Sequence, residues 1–287
     1  MAQILGIALN GLTLAAVYFM VASGLTLIFG LMRVITLAHG TSYLLGGYIG
    51  YVAARETGNW FIGAIAAIVA VGLLGLFIHQ VLIKWFQDDD MRVALITLGV
   101  SLIGADLMLA AFGGTATQVP IDPELQVATV QLPLIGPYSL LRLLVLVVAI
   151  VIGVLLALGI SRTRFGAVVR AGVDDAQMTA ATGVNVPVIF AVIFALGSAL
   201  AGLAGVVGGT LFPLMPGQDA NYLLFSLVVV IVGGMGSIPG AAIGAALVGL
   251  VSQFTLVYVP TYSLVFTFTL MVVVLAIRPQ GIMGRKS

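Results

Sequence analysis

Apolar residues fill most of this chain in long runs, which short polar passages separate. A helix needs about 20 mainly apolar residues to cross a lipid bilayer. Runs that approach this length cover residues 4–29, 61–83, 93–112, 140–160, 188–211, 241–257 and 263–277. Two further runs, 43–54 and 222–232, are too short to cross alone. The pattern therefore predicts about eight to nine membrane helices, depending on how the short pair is counted.

A glycine-rich kink adjoins each of the two short runs. The first run follows GLMRVITLAHG at 30–40, and the second precedes GGMGSIPG at 233–240. Interrupted segments in both halves of a chain indicate discontinuous helices and an internal repeat around a transport path. Irregular backbone at membrane depth survives only where protein or a wet cavity surrounds it. We therefore expect an all-α polytopic membrane protein with broken or re-entrant helices, forming a single domain over 1–287.

Composition supports the same fold class. Hydrophobic residues make up 61% of the chain, charged residues only 7%, and the mean hydropathy is +1.24. Soluble domains carry about 25% charged residues, so this chain cannot cover a water-facing surface. A net charge of +1 gives no sign of nucleic-acid binding. The first apolar run lacks a basic leader and is too long for a cleaved signal, so we expect it to be retained as the first span.

Small residues at four-residue spacing predict close helix contacts. Three stripes of small residues have this spacing: Gly197, Ala201, Gly205 and Gly209; Gly46, Gly50 and Ala54; and Gly236, Gly240 and Gly244. We interpret them as packing contacts within one chain, and a subunit interface is the alternative.

The longest polar passage, 161–183, lies between the two apolar halves. Asp174 and Gln177 have the spacing of a capping box. Gly183 can close a helix in the left-handed conformation, and Pro187 prevents the helix from continuing. The passage therefore predicts a two-turn helix over about 175–182, outside the membrane. A solvated linker is the alternative.

The distribution of Lys and Arg predicts the orientation of the chain. If 161–183 is cytoplasmic, nine of the eleven basic residues lie inside: Arg33, Lys84, Arg92, Arg162, Arg164, Arg170, Arg278, Arg285 and Lys286. Only Arg55 and Arg142 then lie outside. This orientation predicts a cytoplasmic C-terminus.

The same orientation places the connection 113–138 outside. It contains four prolines and no basic residue, and its QVATVQL portion alternates like a short strand. Connections this long are usually functional or disordered. We interpret it as a docking surface for an extracytoplasmic partner, with a plain loop as the alternative.

A few polar residues within the apolar runs are candidates for a substrate pathway. Asp106 is the one acid in the middle of a predicted span, and an ionisable residue there suggests function; a buried scaffold role is the alternative. His39 is more readily explained as a hydrogen-bond partner for backbone groups of the broken helix than as a metal ligand, because no second His is near in sequence. Further polar groups are expected around the same kink and could solvate backbone or face substrate: Asn10, Thr13, Thr36, Ser42 and Tyr43.

Several motifs are absent from the sequence. It has no GxxxxGK[ST] phosphate loop, no HExxH, and no recognisable Ser/His/Asp or paired-acid arrangement. The chain therefore gives no sign of being an enzyme or of binding ATP through such a loop. An intramembrane enzyme is the least supported class.

At this point the residues resemble a known family. The segments that carry the resemblance cover nearly the whole chain in order: 10–13, 23–35 and 38–40; Thr163 to Gly166 with Arg170, Ala171, Ala180 and 183–185; 194–202; and 229–240. Together they look like the permeases of branched-chain amino acid ABC transporters, the H-type subunit of the Liv family.

The resemblance implies an importer permease of the bacterial inner membrane. Such a subunit pairs with a homologous second permease, two cytoplasmic ATPases and a periplasmic binding protein. ATP and Mg²⁺ would be bound by the ATPases, with no cofactor in this chain. The loop 161–187 would then hold the helix that couples to an ATPase, carried by Arg164, Gly166, Arg170, Asp174, Asp175, Ala176, Gln177, Ala180 and Gly183.

Departures from the family pattern leave the substrate open. Thr36, Thr41 and Asp106 stand where the family more often has asparagine, an acid and an uncharged polar residue. Branched-chain amino acids are the first expectation, and urea, short amides, other amino acids or aromatic carboxylates are alternatives. A self-sufficient secondary transporter that uses Asp106 is the alternative from another class.

Overall fold

The computed structural model describes residues 1–32, 34, 36–86, 89–174 and 176–284, with the backbone alone for Leu31, Val173, Asp174, Ala176 and Gln177. The chain is almost entirely helical in these ranges. The long helices are α1 (Ala2–Met32), α3 (Trp60–Ile78), α4 (Asp90–Phe112), α6 (Leu140–Arg162), α9 (Val186–Leu211), α11 (Ile238–Tyr258) and α12 (Ser263–Ile277). The shorter elements are α2 (His39–Thr57), α5 (Pro123–Val127), β1 (Thr129–Leu132), β2 (Gly136–Ser139), α7 (Arg164–Asp174), α8 (Ala176–Ala181) and α10 (Asp219–Gly233).

Seven of the described helices are long and apolar enough to cross a membrane. They correspond to the seven long apolar runs of the sequence, and α2 and α10 correspond to the two short runs. The prediction of an all-α polytopic membrane protein is confirmed. Helix α3 continues through a π-turn (His79–Ile83) and a 3₁₀ turn (Lys84–Phe86), which extend this span to 27 residues.

Helix α1 lies at the centre of the bundle. It is the most buried span and contacts α6, α9, α10 and α11. Helices α4, α6 and α12 lie at the periphery and expose mostly apolar side chains. Such exposed faces suit lipid or another apolar protein surface.

Glycines allow α2 and α9 to approach closely. A Cβ atom on Gly46 would lie 2.3 Å from the Cα of Gly202, and one on Gly205 would lie 1.9 Å from the carbonyl oxygen of Tyr43. Neither distance leaves room for a methyl group. These two stripes are therefore packing seams within the chain, as the sequence predicts.

The two ends of the bundle carry different connections. At one end, the hairpin end, β1 and β2 pair antiparallel, with Thr129 opposite Ser139 and Leu132 opposite Gly136. The predicted strand is only partly correct, because the first part of QVATVQL belongs to the short helix α5. The residues that join α6 to α9 lie at the other end, which we call the corner end.

The corner end contains one helix more than predicted. Helix α8 matches the predicted helix, with Asp175 outside the described residues and the side chains of the proposed capping box not described. Gly183 has φ +87° and its N–H bonds to the carbonyl of Ala180 at 3.0 Å, which closes α8 as expected. Pro187 lies in the first turn of α9, where a missing N–H costs nothing. Helix α7 was not predicted.

Candidate functional site

The first turns of the two short helices meet inside the bundle. A Cβ atom on Gly40, in α2, would lie 2.1 Å from the carbonyl oxygen of Asp219, the first residue of α10. Thr41 donates a hydrogen bond of 3.1 Å from Oγ1 to Oδ2 of Asp219. Since the single hydroxyl proton of Thr41 is used there, Ser101 of α4 donates the 2.7 Å bond between the two hydroxyls. We call Thr41, Ser101 and Asp219 the crossing triad.

The start of α2 is fixed from two sides. His39 is buried, and its Nε2 donates to the carbonyl oxygen of Val21 in the middle of α1, at 2.9 Å. The N–H of Leu37 donates to Oγ1 of Thr97 in α4 at 3.1 Å. The chain therefore turns back into the bundle after α1 and begins α2 at depth, which confirms a broken helix.

The start of α10 is fixed by the connection that follows α4. Thr117 and Leu214 exchange two backbone hydrogen bonds of 3.0 and 2.7 Å, and the N–H of Val119 donates to Gly209 at 2.9 Å. Leu214 is fully buried. These bonds hold the segment between α9 and α10 against the bundle, so that Asp219 lies beside α2.

The charges at the crossing are complementary, with an acid placed between two helix N-termini. A helix N-terminus carries about half a positive charge from its unpaired N–H groups. Two such ends meet at the triad, and the carboxylate of Asp219 lies between them. Asp219 is only 7% exposed. A buried acid in a membrane span is rare and usually functional.

A cluster of aromatic rings lies beside the crossing. The rings of Tyr43 and Tyr222 have centroids 4.0 Å apart, and Tyr18 stacks on Phe225 at 4.9 Å. Tyr43 is fully buried, and within the described residues its hydroxyl makes no well-aligned hydrogen bond. The hydroxyl of Tyr222 interacts with it, so the two tyrosines partner one another within the cluster.

An open cleft of about 420 Å³ lies against this cluster, between α1 and α10. Its wall is mainly apolar and aromatic, and its polar groups come from Tyr18, Gln218, Asn221 and Tyr222. A concave, mostly apolar site with a few polar groups is the usual form of a small-molecule site. The cleft and the crossing triad lie on different sides of the first turn of α10.

The structure brings together only part of the predicted pathway set. Thr36, His39 and Tyr43 are buried around the start of α2. Asn10 and Thr13 lie elsewhere, towards the hairpin end, so their expected place at the kink is wrong. Tyr138 bonds to both of them, at 3.1 and 3.2 Å, and Arg142 donates to Asn10.

Asp106 lies apart from the crossing. It is on the exposed face of α4, among residues such as Leu102 and Ile103 that are more than half exposed. Sequence reasoning missed Asp219, because an acid at the edge of a short apolar run looks like a loop residue. The available signal was its position directly before a span too short to cross.

Comparison with known proteins identifies the family. The family model for the branched-chain amino acid transport system permease component matches residues 7–275. The chain belongs to this family. It is 30% identical to the high-affinity branched-chain amino acid transport system permease protein BraD of Pseudomonas aeruginosa, over 96% of this chain and 94% of BraD. It is 29% identical to the permease protein LivH of Escherichia coli K12, over the same shares of the two chains.

A solved structure shares the fold of this permease. A chain of PsaBC from Streptococcus pneumoniae, solved in complex with Fab, superposes with a TM-score of 0.52 at 14% identity. The match covers 94% of this chain and 91% of that chain. The self-sufficient secondary transporter is not favoured by these relationships.

At the corner end of the permease, hydrogen bonds and a close glycine contact hold α7 against α6. Arg170 donates to the carbonyl of Ile160, and Thr163 bonds both the carbonyl of Gly159 and, at 3.0 Å, the N–H of Gly166. A Cβ atom on Gly166 would lie 2.1 Å from the carbonyl oxygen of Ile160, so only glycine fits. Gly166 and Arg170 thus form a tight joint with the end of α6, whereas Arg164 is exposed at the start of α7.

The rest of the predicted coupling set lies beyond this joint. Ala180 is exposed on α8, and Gly183 closes the helix. Asp175 lies outside the described residues, and the side chains of Asp174, Ala176 and Gln177 are not described. Met178, beside Ala180 in sequence, is 66% exposed.

Proposed function

We propose that this chain is a permease subunit of an ATP-driven ABC importer for branched-chain amino acids, and forms half of the translocation path. The crossing triad carries the proposal: two half-helices begin inside an apolar bundle and meet at a buried acid. Broken helices of this kind supply ligand sites in membrane transporters. The substrate class is supported by BraD and LivH, which are named for branched-chain amino acid transport.

The proposed complex contains this chain, a homologous second permease, two cytoplasmic ATPases and a periplasmic binding protein. ATP and Mg²⁺ are bound by the ATPases, and this chain has no cofactor or catalytic role. The complex lies in the bacterial inner membrane. This chain supplies the path and converts movement of the ATPases into movement of its spans.

The proposed orientation places the corner end and the C-terminus in the cytoplasm. The described basic residues support it, because Lys84, Arg92, Arg162, Arg164, Arg170 and Arg278 all belong to that end, whereas Arg55 and Arg142 belong to the hairpin end. Arg33, Arg285 and Lys286 lie outside the described residues. An excess of Lys and Arg marks the cytoplasmic side of membrane proteins.

Coupling follows from the joint at the corner end. The exposed helix α8 docks on an ATPase, and α7 transmits its displacement to α6 through Arg170 and Gly166. Because packed helices shift between discrete arrangements rather than deform continuously, a small displacement there can switch the bundle between two states. The hairpin end, with β1 and β2, faces the binding protein.

Asp106 marks the face that meets the second permease. A carboxylate exposed to lipid at the middle of a helix costs about 2.5–3.5 kcal/mol. A polar group or cation on the second permease would remove that cost. Asp106 therefore lies at the boundary of the path between the two subunits.

Affinity purification tests the complex. This chain, tagged and expressed in its host, should retain two ATPases and a second permease through mild detergent extraction. Deletion of either ATPase should abolish uptake of radiolabelled leucine by the cells. Leucine uptake driven by this chain without ATPases would contradict the proposal.

A further inference from the structure

Arg142 is a cation at the hairpin end of the bundle, where the described basic residues are few. It lies in the first turn of α6, and its guanidinium donates a hydrogen bond to Oδ1 of Asn10 in α1. Asn10 is neutral, and among the described residues no carboxylate forms an ion pair with Arg142. The side chain is only partly exposed. Its charge is therefore held between two helices without a described acid to balance it.

The neighbours of Arg142 fix its guanidinium in place. Oδ1 of Asn10 also accepts a hydrogen bond of 3.1 Å from the hydroxyl of Tyr138, a buried residue of β2. A guanidinium carries five N–H donors in a planar fork. The bond to Asn10 uses one of them, and within the described part of the chain the others are not engaged. These donors are therefore oriented and available to an oxyanion.

The start of α6 adds positive potential at the same point. The first turn of α6 contains no acid, and the side chain of Ser139 does not cap it. A helix N-terminus carries a positive partial charge, so a cation in the first turn is unfavourable. Arg142 thus stands where the local electrostatics favour an acid, and an anion from outside the chain would remove this cost.

The two arginines of α6 place Arg142 at the level of the lipid headgroups. The helix begins beside Arg142 and ends at Arg162, and residues 143–161 between them are uncharged. This interval of twenty residues rises about 30 Å, which matches the thickness of the hydrocarbon core of a bilayer. Arg142 therefore lies at one boundary of the hydrocarbon, on the bilayer side of the hairpin that precedes α6.

The surface of α6 that continues from Arg142 into the bilayer is apolar. Leu144, Val147 and Val151 are exposed and follow one another at helical spacing. An exposed apolar stripe at this depth suits an acyl chain. An anionic group at Arg142 and an acyl chain along this stripe can belong to a single lipid molecule.

We propose that Arg142 binds the phosphate of an anionic phospholipid in the leaflet at the hairpin end. The guanidinium forms two parallel N–H···O bonds with the phosphate oxygens, which is the geometry that arginine favours. Asn10 is the positioning residue that holds the fork towards the lipid. A zwitterionic phospholipid offers the same phosphate but brings an ammonium group to an already positive site, so it binds more weakly. A soluble protein that docks on this end meets the hairpin first.

Native mass spectrometry of the complete transporter tests this site. The purified complex is delipidated in mild detergent and titrated with phosphatidylglycerol, phosphatidylethanolamine or inorganic phosphate. Arg142→Gln should raise the dissociation constant of the tightest-bound phosphatidylglycerol about tenfold or more, as expected for the loss of charge-assisted hydrogen bonds. Arg55→Gln, which removes an arginine from the same end, is the matched control and should leave this constant unchanged.

Two further variants separate lipid binding from a purely structural role. Arg142→Lys keeps the charge but loses the planar fork, so its dissociation constant should lie between those of the parent and Arg142→Gln. Asn10→Leu should weaken the binding of phosphatidylglycerol while the preference over phosphatidylethanolamine remains, because the charge is still present. If Arg142→Gln does not assemble, Arg142→Lys decides the matter, and a constant equal to that of the parent overturns the inference.

Three other results would also overturn it. The first is equal binding of phosphatidylglycerol by the parent and Arg142→Gln. The second is binding of inorganic phosphate as tight as that of phosphatidylglycerol, which would indicate a site for free anions. The third is unchanged lipid binding with loss of the second permease or the binding protein from Arg142→Gln, which would assign the guanidinium to a carboxylate of that partner. None of these readouts depends on the transported substrate, so the proposed function stands or fails separately.

Discussion

Thr41, at the start of α2, donates a hydrogen bond of 3.1 Å to the carboxylate of Asp219, at the start of α10. The two residues are 178 positions apart, and this bond joins the two broken helices of the permease. Thr41→Val keeps the shape of the side chain but removes its bonds to Asp219 and Ser101. We expect a loss of about 1–3 kcal/mol in the free energy of unfolding, because a buried carboxylate loses a donor.

Thermal unfolding of the purified complex in detergent measures this loss. Thr115→Val, in an exposed part of the connection after α4, is the matched control and should change the free energy by less than about 0.5 kcal/mol. Equal melting temperatures for the two variants would argue against a structural role for the triad.

Asp106 should be needed for assembly with the second permease and not for insertion. Asp106→Leu removes an exposed carboxylate from α4, so the single chain should insert at least as well as before. The variant should retain less of the second permease in co-purification from membranes. Leu155→Ala, on the exposed face of α6, is the control and should retain the normal amount. Unchanged co-purification of Asp106→Leu would place Asp106 outside the interface.

Ala180 should lie in the contact between α8 and an ATPase. Ala180→Arg adds a bulky charge to this exposed position, so transport should fall while the chain still inserts and the ATPases still hydrolyse ATP. The measurement is the ratio of leucine imported to ATP hydrolysed. Ala180→Ser, which adds neither bulk nor charge at the same exposed position, is the control and should keep the normal ratio. A normal ratio for Ala180→Arg would remove α8 from the contact.

Gly281 should hold the C-terminal segment against the end of α10. Ile282 and Met283 donate backbone hydrogen bonds of 2.9 Å to Val232 and Gly233, the last residues of α10. Gly281 has φ +79°, and a Cβ atom there would lie 2.5 Å from the Cα of Gly234. Gly281→Ala should therefore remove hydrogen-exchange protection from the amides of Ile282 and Met283.

Gly217→Ala measures the cost of left-handed backbone strain without the steric clash that a Cβ atom would make at Gly281. Gly217 has φ +87° but open space around it, so alanine there costs only the left-handed strain of about 1–2 kcal/mol. Gly281→Ala carries the same strain and the collision with Gly234. If both variants lower the melting temperature equally, the C-terminal segment does not brace α10.

The helices of this permease could be predicted because their evidence is local. A run such as 140–160 is long and apolar enough to identify α6 without knowledge of its neighbours. Gly183 marks the end of α8 in the same local way. Helix α7 was missed because it is short and its Gly166 reads as a break, whereas that glycine is required by contact with α6.

The site could not be predicted to the same extent because it depends on distant contacts. Asp219 becomes a buried acid only when α10 packs against Thr41 and Gly40. Asp106 is an apparent buried acid in the sequence, yet the side chain lies on the outer face of α4. Tyr43 and His39 were found because they adjoin a recognisable kink.

Reconstituted uptake tests the central claim most directly. The purified complex of this chain, its second permease and its ATPases is placed in proteoliposomes with the loaded binding protein, and entry of radiolabelled leucine is followed. We predict uptake that requires ATP on the side of α8 and persists when ion gradients are abolished. Uptake that proceeds without ATP and follows a proton or sodium gradient would contradict the account.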